Sequence, residues 1–232
     1  MRTKTAQVAF LWAVLILHLG VSLATAQNPL TRPSISEQVS PVEEIAIQAQ
    51  DGYDVIGVVR TPPGSGPFPA VVVVHGGLGT FTLNQLTDQA LNNPTMTRFL
   101  AAGYVTMIPT FRSRAEDPQT ANALRDNLAI VAHVKQMAKV DPNSVVVYGC
   151  SGGGDLALEL AGQADLAAIT AEEPATVLFT GMMNQRILKS GDTFTVPDAF
   201  PFLQDPDRFY TPELQRFTQR KIAAIKSPVV IA

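Results

Sequence analysis

A serine sits between glycines where an apolar run stops and a helical pattern begins. Val145-Val146-Val147-Tyr148 leads straight into Gly149-Cys150-Ser151-Gly152-Gly153. G-x-S-x-G in that setting predicts a strand, a sharp turn and a helix. The glycines let the turn hold its central residue in a strained conformation without a Cβ striking the next helix. Such a turn lifts the Ser151 hydroxyl clear of the sheet. It also aims the first amides of the new helix at the space beside that hydroxyl. Those amides are free donors at the positive end of a helix dipole, so they suit a developing oxyanion. The chemistry this predicts is nucleophilic attack by a serine oxygen.

A serine hydroxyl near neutral pH needs a base, usually a histidine oriented by a carboxylate. The chain has three histidines. His18 lies in a leader-like N-terminus. His75 sits in a glycine-containing loop after an apolar strand. His133 falls near the apolar stripe of a predicted helix, where a structural histidine is expected. Glu172-Glu173-Pro174 follows the strand after the elbow helix and offers a carboxylate, or simply a polar loop entry. Cys150 is offset by one from the apex, so a packed thiol is expected there. Arg112 follows a strand at the same edge. It could hold a substrate carboxylate through a bidentate pair, or form a salt bridge. No Cys/His cluster has zinc spacing, and no metal or organic cofactor is implied.

The elements that must carry these residues are legible in outline. Strands are predicted at Val42–Gln48, Asp54–Arg60, Ala70–Val74, Tyr104–Ile108, Val145–Tyr148, Ala167–Ala171 and Val229–Ile231. Helices are predicted at Pro94–Ala102, Thr120–Lys139, Gly154–Gln163 and Thr211–Lys226. A polar loop with Gly77 and Gly79 is predicted after Ala70–Val74, and Asp141-Pro142-Asn143 as a turn. An antiparallel start followed by strand–helix alternation predicts an α/β fold. Its sheet is mostly parallel and twisted, with helices on both faces. In such sheets function gathers at the C-terminal strand ends.

Composition bounds the rest. The 232 residues suit one domain. With 46% apolar residues a large core can form, and a net charge of −3 leaves no electrostatic footprint for nucleic acid. Arg2 and Lys4, an apolar stretch from Val8 to Leu23, and Ala24-Thr25-Ala26 predict an export signal over residues 1–26, cleaved after Ala26. The stretch is short for a membrane span, though an uncleaved anchor is the alternative. A secreted or periplasmic location is therefore expected, with no stable span after signal removal. Residues 27–41 predict a linker. The single cysteine, Cys150, excludes an internal disulfide.

Four stretches in order resemble the α/β-hydrolase superfamily, above all the prolyl oligopeptidase-type domain and dienelactone-hydrolase-like enzymes. They are Val72-Val73-Val74-His75-Gly76-Gly77, Gly103 through Ser113, Asp141-Pro142-Asn143, and the elbow at Gly149–Gly153. The resemblance covers residues 42–232. It implies an esterase or peptidase acting through a Ser151 acyl-enzyme on a small ester or peptide. It also implies an oxyanion hole at the Gly77 and Gly152 amides and a structural role for His75. A cap-like insert is expected over about 175–210, where Phe194, Phe200, Phe202, Phe209 and Tyr210 could line an acyl pocket or simply pack. In the family the acid and then the histidine follow the last strands. Val229–Ile231 resembles the strand before the acid, so the domain is expected to lack its last strand and helix, as a C-terminally truncated hydrolase. On that expectation the strand is an exposed apolar edge that favours aggregation. The alternative is a non-catalytic binding or scaffold protein on the same fold. Oligomeric state is not legible.

Overall fold

Alternating side-chain directions decide which side of each strand meets which helices, and that alternation builds apolar packing on both faces of the sheet. In a computed structural model, the described residues are 40–77, 79–114, 121–181, 205 and 210–232. They belong to one unit, Gln38–Ala232. The predicted signal and most of the linker lie outside the described residues, as does most of the expected insert.

Seven strands form one sheet: β1 (Glu43–Gln48), β2 (Asp54–Arg60), β3 (Phe68–Val74), β4 (Val105–Pro109), β5 (Val140–Cys150), β6 (Ala168–Glu172) and β7 (Val229–Ile231). Their order is β1-β2-β4-β3-β5-β6-β7. The β1–β2 and β2–β4 pairs are antiparallel, and the pairs from β4 to β7 are parallel. The described helices are α1 (Leu83–Asn92), α2 (Pro94–Ala101), α3 (Ala121–Gln136), α4 (Gly152–Ala161), α5 (Thr176–Phe179) and α6 (Pro212–Ala224).

Ala70, Val72 and Val74 of β3 join Val145 and Val147 of β5 under α3 and α4. Val71 and Val73 point the other way, against Leu86, Ala90 and Met96 of α1 and α2. The predicted layering of helices on both faces is what the structure has. Each residue of β3 from Ala70 onward is buried, as a strand covered on both faces must be.

Two elements differ from expectation. Residues 83–92 form a helix rather than a loop. Thr82 caps it, accepting from the Gln85 amide while the Gln85 side chain accepts from the Thr82 amide. T-x-x-Q is a capping-box signal, masked here by the polar composition of the helix that follows. The Asp141-Pro142-Asn143 turn instead belongs to β5, which begins at Val140 beside Phe68. A register irregularity between Phe68 and Ala70 lets the strand pair absorb it.

Candidate functional site

The parallel strands β3, β5 and β6 all end at one edge, and the elbow stands there. β5 stops at Cys150, and α4 starts at Gly152 with Ser151 between them as its N-cap. Ser151 has φ 53° and ψ −119°, a conformation L-residues rarely take, and it is exposed. Three backbone hydrogen bonds over-determine it. Its amide donates to Glu172 O at 2.9 Å, and its carbonyl accepts from Asp155 N at 3.2 Å and Ala175 N at 2.9 Å. A strained residue held this firmly is the signature of a functional turn.

Close approach explains the glycines behind it. A Cβ on Gly153 would stand 2.1 Å from Val74 O, so only glycine lets α4 start against the end of β3. A Cβ on Gly152 would stand 2.5 Å from Gly77 O and 3.5 Å from Gly77 N. The loop after β3 therefore lies directly against the start of α4. Gly76 is also near, since a Cβ there would lie 3.6 Å from Ser151 Cβ. The structure thus places Gly77 and Gly76 against Gly152 and Ser151. Among the described residues, neither the Gly77 nor the Gly152 amide donates to another backbone carbonyl. Among the described residues, both donors are open to a ligand oxygen.

His75 shapes this loop rather than acting on Ser151. Its ring is stacked between Phe81 and Phe111, with centroids at 3.7 and 4.1 Å. Its Nδ1 lies 2.9 Å from Gly76 O, so Nδ1–H donates. Burial pushes its pKa down to about 4, opposed by the Gly76 bond, and keeps the ring neutral. His133 sits in the last turn of α3, which leads into the start of β5. That is the opposite edge of the sheet from Ser151. Neither histidine meets the serine.

The carboxylates of the β6 loop lie near the elbow but are otherwise engaged. The Tyr148 hydroxyl donates to the Glu172 carboxylate. Glu173 is exposed, has φ 42°, and its amide donates to Ala232 O at 2.8 Å. Neither orients a histidine among the described residues. Arg112 is corrected as a substrate ligand: its guanidinium is committed to protein partners. It donates to the buried Asp126 at 2.6 Å and to Asp51 at 2.7 Å, and it lies 4.5 Å from the Tyr53 ring centroid. It pins the β1–β2 turn to α3. Cys150 is half-buried rather than fully packed. Phe194, Phe200, Phe202 and Phe209 lie outside the described residues, whereas Tyr210 directly precedes the N-cap of α6.

Sequence reasoning missed a buried ionic cluster behind the elbow. Arg114 pairs with Asp155, at 1% and 0% side-chain exposure. Lys221 of α6 pairs with Glu159 one turn further along α4. Burial raises the pKa of Asp155 and of Glu159, opposed by Arg114 and Lys221 respectively. Spacing gave no hint of this cluster, since residues two apart on extended backbone share a face, yet Arg112 and Arg114 reach different partners. Among the described residues, no group of His, Cys, Asp and Glu could hold a metal ion, and no helix is long and apolar enough to cross a membrane.

Comparison with known proteins agrees with this geometry. Residues 58–195, more than half of the chain and including the elbow, match the family BD-FAE. The chain belongs to the BD-FAE family. It is 32% identical over 123 residues to the quorum-quenching protein AidA of Acinetobacter baumannii, covering 50% of this chain and 38% of that protein. Among solved structures it resembles a Pyrobaculum calidifontis esterase, with TM-score 0.56, 22% identity, and 83% and 66% of the two chains covered. It also resembles EstE1, a thermostable carboxylesterase from a metagenomic library, with TM-score 0.53, 18% identity, and 83% and 79% covered. At those identities the likeness establishes the α/β-hydrolase fold. The chain spans 38% of the curated relative and 66% of the archaeal esterase. By family it is a BD-FAE member and by fold an α/β hydrolase; the finer likeness to prolyl oligopeptidase-type domains rests on motifs alone.

Proposed function

We propose that the whole protein is an exported serine hydrolase that cleaves a small carboxylic ester. Ser151 Oγ attacks the ester carbonyl carbon, and its proton passes to a base. The carbonyl oxygen takes the negative charge and is held by the Gly77 and Gly152 amides. Collapse expels the alcohol, which carries the proton away, and water then hydrolyses the acyl-serine. Losing one oxyanion donor raises such a barrier by about 3 kcal/mol. The observation that carries this reading is the strained Ser151 at the head of α4, facing the Gly76–Gly77 loop.

Neither described histidine is placed to take that proton. His75 is stacked and neutral, and His133 lies at the far edge of the sheet. Export is supported by the leader-like residues 1–26, and ester over peptide chemistry by the family and its relatives. That no described histidine meets Ser151 favours one other reading, a non-catalytic binder on this fold. A fluorophosphonate probe separates the two. Native-length protein that acquires one adduct, mapped to Ser151 and absent in Ser151→Ala, supports the hydrolase. An unlabelled Ser151 supports the binder. Comparing p-nitrophenyl ester with peptide anilide turnover separates esterase from peptidase.

A further inference from the structure

We infer that Arg114 is a positioning residue of the Ser151 site, clamping the first turn of α4 so that the Gly152 amide stays aimed at the oxyanion. This rests on the Ser151 reading above. Arg114 Nη1 donates to Gly152 O at 2.7 Å, while Nη2 donates to Asp155. Asp155 in turn sends its own amide to Ser151 O at 3.2 Å. The three contacts close a ring around the Ser151–Gly152 peptide.

The ring answers a problem that the sequence creates. Gly152-Gly153-Gly154 opens α4, and three consecutive glycines make the softest possible first turn. Sterics demand those glycines, because the end of β3 and the Gly77 loop approach so closely. Gly152 must nonetheless present its amide in one direction. Gly152 is held at its carbonyl by Arg114, and the carbonyl on its N-terminal side is held by Asp155 and Ala175. Rotation about either soft dihedral would break one of these bonds.

Stability alone does not account for the pair. A buried ion pair is often no more stable than an apolar replacement of similar volume. A cation beside the first carbonyl of a helix also opposes the dipole unless an anion neutralises it, which Asp155 does. Among the described residues, Arg114 Nε and Asp155 Oδ1 have no hydrogen-bond partner, a further cost carried by this arrangement. Arg112, two residues earlier, points to Asp126 and Asp51 and makes a natural control.

The test uses native-length protein and two readouts per folded molecule: the second-order rate of fluorophosphonate labelling at Ser151, and kcat and KM separately for a p-nitrophenyl ester. Arg114→Gln should lower labelling and kcat by about 10- to 100-fold with KM within about twofold, because the lost interaction matures in the transition state. Arg114→Lys should recover part of the loss. The double variant Arg114→Met with Asp155→Leu removes the clamp without stranding a charge. It should melt at or above the wild-type midpoint and still react slowly. Arg112→Gln should melt lower yet label at the wild-type rate. If the double variant labels at the wild-type rate, or Arg114→Gln merely behaves like Arg112→Gln, the clamp is structural only and the inference is overturned. If wild-type Ser151 does not label, the nucleophile reading fails and this inference falls with it.

Discussion

Replacing the serine at the elbow with glycine should make the protein more stable while removing its nucleophile. Ser151 sits at φ 53° and ψ −119°, where a Cβ is strained and glycine is not. Its side chain makes no capping hydrogen bond, so loss of the hydroxyl alone removes little. Strain of this kind costs about 1–3 kcal/mol. Glycine gives back about 0.5–1 kcal/mol through the freedom it adds to the unfolded chain. Ser151→Gly should therefore gain about 0.5–2 kcal/mol over Ser151→Ala, which keeps the Cβ and the strain. For a domain of this size that is about 1–8 °C in melting midpoint. Urea melts of both variants beside wild type measure it, with equal slopes required for comparison. Ser151→Ala should fall close to wild type. If Ser151→Gly is no more stable than Ser151→Ala, the backbone at position 151 is unstrained and the geometric case for the elbow is wrong.

Three further outcomes follow from the same structure. Gly153→Ala places a methyl 2.1 Å from Val74 O and should cost about 4 kcal/mol or more, seen as loss of a cooperative circular-dichroism melt. His75 is held neutral, its pKa lowered from 6.5 to about 4 by burial. The unfolded chain takes up that proton first as pH falls, so the contribution is complete above about pH 6.5 and is lost toward pH 4. Between pH 7.5 and 4.5 wild type should lose about 2.5 kcal/mol more than His75→Gln, read from urea melts at the two pH values. Arg112→Ala strands the buried Asp126 carboxylate and should lower stability by about 2–4 kcal/mol, without changing Ser151 labelling per folded molecule.

Much of the fold was legible because two-sided burial writes itself as continuous apolar runs. Ala70–Val74, Tyr104–Ile108 and Val145–Tyr148 read as strands, and the structure has β3, β4 and β5 there: Ala70–Val74 and β4 are buried throughout, whereas β5 alternates buried with half-buried residues from Val145 on. α1 was hidden because a half-exposed helix needs few apolar residues, here with only Leu86 and Ala90 buried. The extension of β5 through Pro142 was hidden because the Asp-Pro-Asn turn survives inside it, with Asn143 N donating to Asp141 Oδ1 where the register with β3 shifts.

The site divides along the same line. Sequence alone determined that Ser151 heads a glycine elbow and that a His-Gly-Gly loop follows a buried strand, because both are contiguous and sterically demanding. Tertiary structure decided what those residues face. It set Gly77 against Gly152, sealed His75 between two phenylalanines, and spent Arg112 on Asp126 and Asp51. It also brought Arg114 to an aspartate 41 positions away. Direction and partner of a side chain depend on which segments the sheet lays side by side, and no local spacing encodes that.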